Sequence, residues 1–161
     1  FPHIHQGDEL VRKSGILIQG LKVLDVPMVI TEQYPKGLGP TIAGLKALPG
    51  REEVHEKLSF SCCGEPAFQL SLEATGKRFV IICGIEAHVC VLQTVLDLLD
   101  EGKQPVVVTD CISSRNPGDM EVALERMQKE GALLSTSESI LFELTGRAGT
   151  EQFRAISKLV K

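Results

Sequence analysis

Cys90 is the residue of this sequence best placed for covalent chemistry. An apolar run, Phe79-Val80-Ile81-Ile82-Cys83, predicts a buried strand that ends at Gly84. Ile85-Glu86-Ala87-His88 then leads into a helical pattern, with Val89, Leu92, Val95, Leu96 and Leu99 at i, i+3, i+4 spacing. Cys90 therefore falls in the first turn of a helix at the carboxyl end of a strand. Free N–H groups and the positive end of the helix dipole favour a thiolate there. In open α/β sheets the same rim binds ligands. The chemistry this permits is nucleophilic attack. Free cysteines are also among the most buried residue types, mostly small core side chains. Position alone leaves nucleophile and core both open.

The other candidates carry less. Lys57 closes a short β-like run, Val54-His55-Glu56. A lone lysine is nearly always a solvated charge, but at a strand end on the rim of Cys90 it could stabilise a thiolate or oxyanion. His88, two residues before Cys90, points to a different side of a helical turn and reads as rim or core rather than base. Asp110 closes a strand, Val106-Val107-Val108-Thr109, where Ser113, Ser114 and Arg115 could satisfy it locally. Of the remaining cysteines, Cys83 lies inside its strand and reads as core. Cys111 precedes no helical apolar stripe, and Cys62-Cys63 fall in a Ser/Gly/Pro-flanked loop. Gly37-Leu38-Gly39-Pro40-Thr41-Ile42 tempts toward a dinucleotide fingerprint, yet Ile42 stands where the third glycine belongs and Pro40 removes a donor. A glycine-rich turn into a helix is the better reading.

These residues need a scaffold, and the hydrophobic pattern supplies one. Apolar β-rich runs begin near Val26, Val54, Arg78, Gln104 and Ala132, with helical patterns between them. That alternation marks βαβ units and a parallel sheet. Val106-Val107-Val108 and Val80-Ile81-Ile82 are apolar on both faces, as sheet centres covered by helices should be. Asp8 is expected to cap a helix carrying Leu10, Leu17 and Leu21. Pro66 opens a short helix ended by Gly76, Asn116-Pro117 starts one stopped by Gly131, and Thr150 caps a last one. The first element is thus a helix with no strand before it, although the first strand of a doubly wound sheet is usually central. The chain is accordingly expected to be N-terminally truncated, opening on Phe1-Pro2 within a loop.

Composition bounds the function. The 161 residues suit one domain, 1–161, and the formal charge of −4 comes from interspersed signs. There is no basic stripe for phosphates and tryptophan is absent, so no nucleic-acid partner is expected. Apolar runs are of strand length, far from the roughly 20 residues of a membrane span. Five cysteines, an odd number without regular spacing, and no cationic-apolar leader argue against a secreted disulfide framework. No Cys or His pair has zinc-ligand spacing. A cytoplasmic location is expected.

Taken together, four stretches resemble the isochorismatase-like (cysteine hydrolase) superfamily. They are Thr31-Glu32-Gln33-Tyr34-Pro35-Lys36-Gly37-Leu38-Gly39, Lys57-Leu58-Ser59-Phe60-Ser61, Gly84-Ile85-Glu86-Ala87-His88-Val89-Cys90-Val91, and Asp110-Cys111-Ile112-Ser113-Ser114-Arg115. Thr-Glu-Gln-Tyr-Pro after the second strand is most similar to the isochorismatase-domain-containing branch. The resemblance implies an α/β fold: a three-layer α/β/α sandwich on a mainly parallel, Rossmann-like sheet of six strands. It also implies an Asp–Lys–Cys triad, in which Lys57 and Cys90 match the second and third members. The aspartate belongs on a first strand before the position of Phe1, and no residue here matches it. Amidase members bind a metal through Asp-x-His, where this chain has Glu32-Gln33-Tyr34, so neither a metal nor another cofactor is expected.

On that resemblance the expected activity is hydrolysis of a small amide, ureide or related C–N bond through a thioester on Cys90. Lys57 would stabilise charge, and the backbone N–H groups of Glu86 and Cys90 would form the oxyanion hole. The same resemblance places a non-proline cis peptide at Ile85–Glu86. Specificity is expected from Tyr34, Leu38, Phe60 and His88 around a small-molecule substrate, together with a neighbouring subunit of a homo-oligomer. Two readings compete: a non-catalytic or redox-responsive binding protein on the same fold, and a flavodoxin-like nucleotide binder.

Overall fold

The computed structural model describes residues 2–46 and 54–161. Phe1, expected to lie within a loop, falls outside them. Eight α-helices and five parallel strands, the strands in two sheets, form among the described residues. In the first, β1 (Ile30–Gln33) pairs with β2 (Val54–Lys57). In the second, β4 (Gln104–Ser113) lies between β3 (Phe79–Ile85) and β5 (Leu133–Ser135). The resemblance implied six strands in one sheet. Among the described residues, β1 pairs only with β2 and β3 only with β4.

Strand β4 explains the layers. Its residues alternate faces with a period of two. Val106 and Val108 pack with Leu17 and Leu21 of α1 (Gly7–Val23), Leu141 of α7 (Ser137–Thr145) and Ile156 of α8 (Glu151–Leu159). Val107 faces the other way, onto Val95 of α5 (Leu92–Asp100) and Met127 of α6 (Pro117–Glu130). Helices therefore cover both faces, and the α/β sandwich read from the sequence is present. A third cluster joins Phe68 and Leu72 of α4 (Pro66–Ala74) to Leu98, Val80, Ile82 and Val29. It sets the approach to β1 against β3, and so brings the rims of the two sheets together.

Local signals decide most helix ends. The Asn116 side chain accepts from Gly118 N–H at 3.0 Å, and the helix it starts stops at Gly131. Thr150 Oγ1 accepts from Phe153 N–H at 3.0 Å, and Pro66 opens α4. Asp8 is not the cap expected of it. The left-handed turn at Gln6 (φ 50°) brings the chain into helical geometry at Gly7, leaving Asp8 and Glu9 in the first turn. Negative charge is favoured there by the dipole. Helix α7 went unread, although Thr136 caps it by accepting from Ser139 N–H. Two one-turn helices, α2 (Pro35–Leu38) and α3 (Ala43–Lys46), follow β1 where the sequence showed a glycine-rich turn.

Three expectations about strands need correction. β1 starts at Ile30, later than Val26. β4 does not close at Asp110 but runs to Ser113, because its pairing with β3 jumps from Ile82–Val107 to Gly84–Ile112. The intervening β4 residues bulge and the ladder then resumes. Gly84 sits at that jump with φ 126°, a conformation L side chains rarely adopt. Finally, β3 has β4 as its one strand neighbour among the described residues, which leaves Phe79 exposed. Cys83 is open to solvent on that side, yet the packing around it pushes its thiol up to about 11, as for a core residue.

Candidate active site

The carboxyl ends of β1, β2 and β3 converge on a small polar cluster. Gln33 ends β1 and Lys57 ends β2, and the two are partners in the parallel register. Cys90 comes from the wide π-type turn Ala87–Val91 between β3 and α5, one turn ahead of the regular helix it was expected to occupy. Gln33 Oε1 joins the other two. It accepts from Lys57 Nζ at 2.5 Å and lies 3.9 Å from Cys90 Sγ, which donates to it. The shared oxygen bounds the ammonium–sulfur separation at roughly 6 Å, close enough for the charge to act on the thiol.

Lys57 is buried, with 4 % of its surface exposed. Its ammonium has three N–H donors, and three oxygens take them: Gln33 Oε1, Ser59 O at 2.9 Å and Phe60 O at 2.7 Å. All three are neutral. No carboxylate forms an ion pair with Lys57 among the described residues.

The Cys90 thiol is held above its ordinary value. Burial is the largest cause; Lys57 pulls it back down, Cys62 pushes it up, and a hydrogen bond from the Glu86 backbone favours the thiolate. The helix-start argument foresaw a depressed thiol, but desolvation outweighs the favourable charges here. The Ile85–Glu86 peptide is cis, at the position implied by the resemblance. The Glu86 carboxylate points away to Arg115, accepting from its backbone N–H at 3.0 Å and from Nε at 3.1 Å. Burial opposes its ionisation, yet these Arg115 contacts keep its carboxyl below the ordinary value.

The expected pocket residues fare unequally. Tyr34 N–H donates to Lys57 O at 2.9 Å, and its ring lies over Gly37, where any side chain would collide with it. Phe60 contributes its carbonyl to Lys57, and the residue is 54 % exposed. Leu38, at the end of α2, is 72 % exposed and stands out in solvent. His88 turns from the cluster: its Nδ1 meets the fully buried Ser114 Oγ at 2.9 Å. That agrees with a rim or core histidine.

Asp110 is structural, as expected, but through other partners than its neighbours. Ser137 donates to it from N–H (2.7 Å) and Oγ (2.6 Å), and Lys13 lies at 3.4 Å. A depression of about 390 Å³ lined by Thr109, Leu134, Ser135, Thr136 and Ser139 contains none of the expected residues. Among the described residues no three His, Cys, Asp or Glu side chains gather to hold a metal ion. No helix among them is long and apolar enough to cross a membrane.

Two residues were missed. Gln33 could have been suspected as a polar residue at a strand's carboxyl end, but only the register with Lys57 gives it a role. Thr94 of α5 accepts from Cys62 N–H at 2.9 Å and donates to Cys90 O at 2.7 Å, tying two turns together. Nothing in an amphipathic helix pattern marks it.

Comparison with known proteins places this arrangement. Residues 1–139 match the isochorismatase domain model. Isochorismatase domain-containing protein 2 of Bos taurus is 44 % identical over 162 residues, covering 100 % of this chain and 78 % of that protein. The structure of the MAR1 ribonuclease from Caenorhabditis elegans superposes with a TM-score of 0.93 at 39 % identity, covering 99 % of this chain and 82 % of that one. The YcaC gene product of Escherichia coli, described as an octameric hydrolase of unknown specificity, superposes with a TM-score of 0.88 at 25 % identity, covering 94 % and 76 %.

Proposed function

Because the chain belongs to the isochorismatase family, whose relatives support a hydrolase, we propose that it cleaves a small amide, ureide or related C–N substrate through a thioester on Cys90. The observation that carries this reading is the meeting of Cys90 Sγ, Gln33 Oε1 and the buried Lys57 ammonium at one sheet rim. In the proposed reaction the thiol proton passes to a carboxylate base, an aspartate in the family pattern; no described carboxylate hydrogen-bonds to Cys90. The sulfur forms a bond to the carbonyl carbon as the C–O double bond opens. The resulting oxyanion is held by the Glu86 and Cys90 N–H groups, a donor of this kind contributing about 10²–10³ in rate. The C–N bond breaks, nitrogen leaves with the base's proton, and water then cleaves the S–C bond. Lys57 stabilises negative charge throughout.

In this proposal Tyr34 and Phe60 flank the cluster, Leu38 stands farther out on the same side, and His88, held by Ser114, takes no part in the rim. Tyr34, Leu38 and Phe60, with Leu58, leave exposed apolar surface beside β1 and β2. Together with the octameric neighbour this supports a homo-oligomer whose second subunit covers that rim. We place the protein in a reducing compartment, the cytoplasm, on its five free cysteines. The ribonuclease name belongs to the C. elegans protein. A charge of −4 without a basic stripe favours small carbonyl substrates over RNA here.

A binding protein without turnover is the second reading, favoured by the raised Cys90 thiol. A screen of small amides and ureides, with an RNA arm and a Cys90→Ala control, decides between them. Amide turnover lost in Cys90→Ala upholds the proposal. Turnover that survives the substitution overturns it, as does RNA cleavage as the principal activity. No turnover of any amide or ureide, with Cys90 inert to alkylation, favours the binding reading.

A further inference from the structure

We propose that Gln33 is a positioning residue that governs the Lys57–Cys90 pair: its amide oxygen holds the ammonium beside the sulfur and keeps Cys90 a hydrogen-bonded thiol in the resting protein. The inference rests on the reading of Cys90 as the nucleophile.

The orientation of the Gln33 amide is not free. Its Nε2 donates to Leu58 O at 2.9 Å and its Oε1 accepts from Lys57 Nζ at 2.5 Å. A backbone carbonyl cannot donate and an ammonium cannot accept, so exchanging oxygen and nitrogen would break both contacts. A carbonyl oxygen is therefore fixed between the cation and the sulfur. An oxygen facing S–H favours the protonated form, since it would repel a thiolate. The donor count leads the same way. With Ser59 O and Phe60 O on its other two N–H groups, Lys57 has no hydrogen left to offer the sulfur while Gln33 is in place. The ammonium acts on Cys90 through space only.

Few other charges face the sulfur. Cys62, from the turn at 62–64, and the Glu86 carboxylate oppose the thiolate, while the Glu86 backbone favours it. Neither Cys62 nor Glu86 hydrogen-bonds to Gln33, so changing Gln33 leaves their contacts in place. Gln33 acts in the same direction as burial, which is the larger cause of the raised thiol. The family pattern and the helix start point to a ready thiolate, whereas the sulfur lies 3.9 Å from an amide oxygen that only a thiol can donate to. A substrate carbonyl that draws Lys57 or the thiol from Gln33 Oε1 would remove that restraint.

The test is Cys90 alkylation by iodoacetamide against pH in the full-length protein, read by mass spectrometry of the Cys90 peptide. Gln33→Met keeps the side-chain length and frees one Lys57 N–H toward the sulfur. It is expected to speed alkylation at pH 7 by about tenfold and move the midpoint down. Gln33→Glu keeps the shape but adds a negative charge that pairs with Lys57. It is expected to slow alkylation by about tenfold and move the midpoint up. Opposite signs from two variants of one size are what simple damage to the site cannot produce. Shifts in the same direction, or no shift in either, overturn the proposal. Thermal melts confirm folding, and if Gln33→Glu does not fold, the Gln33→Met arm alone decides by its sign. Alkylation needs no turnover. If Cys90→Ala retained activity, the hydrolase reading would fall while this measurement still reported on Gln33.

Discussion

Thr94→Val isolates the hydroxyl that ties the Cys62 turn to the Cys90 turn. Thr94 is almost fully buried, and valine has nearly its shape. Valine and threonine also have similar helix propensities. The change therefore reports on hydrogen bonds rather than on packing. Two are lost: Cys62 N–H to Oγ1 at 2.9 Å and Oγ1–H to Cys90 O at 2.7 Å. The Cys62 amide is the costly one, since a partly buried donor without a partner forfeits about 1–3 kcal/mol. Cys90 O, an acceptor that also serves the helix backbone, loses less. A total near 2 kcal/mol follows, or a fall in Tm of roughly 4–8 °C for a chain of this size. Thr94→Ser keeps the hydroxyl and loses one methyl, so it is expected to cost only about 1 kcal/mol. Urea unfolding of the three proteins, with equal m-values, measures both differences. A Thr94→Val change below roughly 0.5 kcal/mol, or a larger loss for Thr94→Ser, would refute the role given to the hydroxyl.

Lys57→Ala is expected to lower kcat/KM by about 10²-fold, from a charge acting over roughly 6 Å at an effective dielectric near 20. Lys57→Arg should recover only part of it, because a planar guanidinium cannot aim three donors at Gln33 Oε1, Ser59 O and Phe60 O; a change within threefold for Lys57→Ala would count against the pairing. Leu17→Ala empties a fully buried position among Val106, Leu141 and Ile156 and should cost about 2–5 kcal/mol in denaturant titration. At Asp110 burial works against ionisation, but the two Ser137 hydrogen bonds and Lys13 hold the carboxyl below its ordinary 3.8. A depressed carboxyl contributes its stability above that value and loses it as pH falls through the folded value. Asp110→Asn is therefore expected to cost about 1 kcal/mol at pH 7 and much less in acid. An equal cost at both would show that charge plays no part.

Much of the fold was legible because it depends on short-range chemistry. Apolar strands at Val80–Ile82 and Val106–Val108, helix starts at Pro66, Asn116-Pro117 and Thr150, and the stop at Gly131 are written in neighbouring residues, whose backbone preferences and caps act over a single turn. The same locality made Cys90 and Lys57 visible as residues at strand ends. Where the local rule met longer-range geometry it failed. The bulge that carries β4 past Asp110 depends on the register with β3. Cys83 depends on which strand lies beside it, and the Asp110 partners Ser137 and Lys13 come from elements far along the chain. The site shows the division most clearly. Residue types and strand ends named the cysteine and the lysine, but Gln33 acquires its place between them only through the parallel pairing of β1 with β2. Burial, the largest influence on the thiol, is a property no single stretch of sequence carries, because desolvation is summed over every element packed around the sulfur.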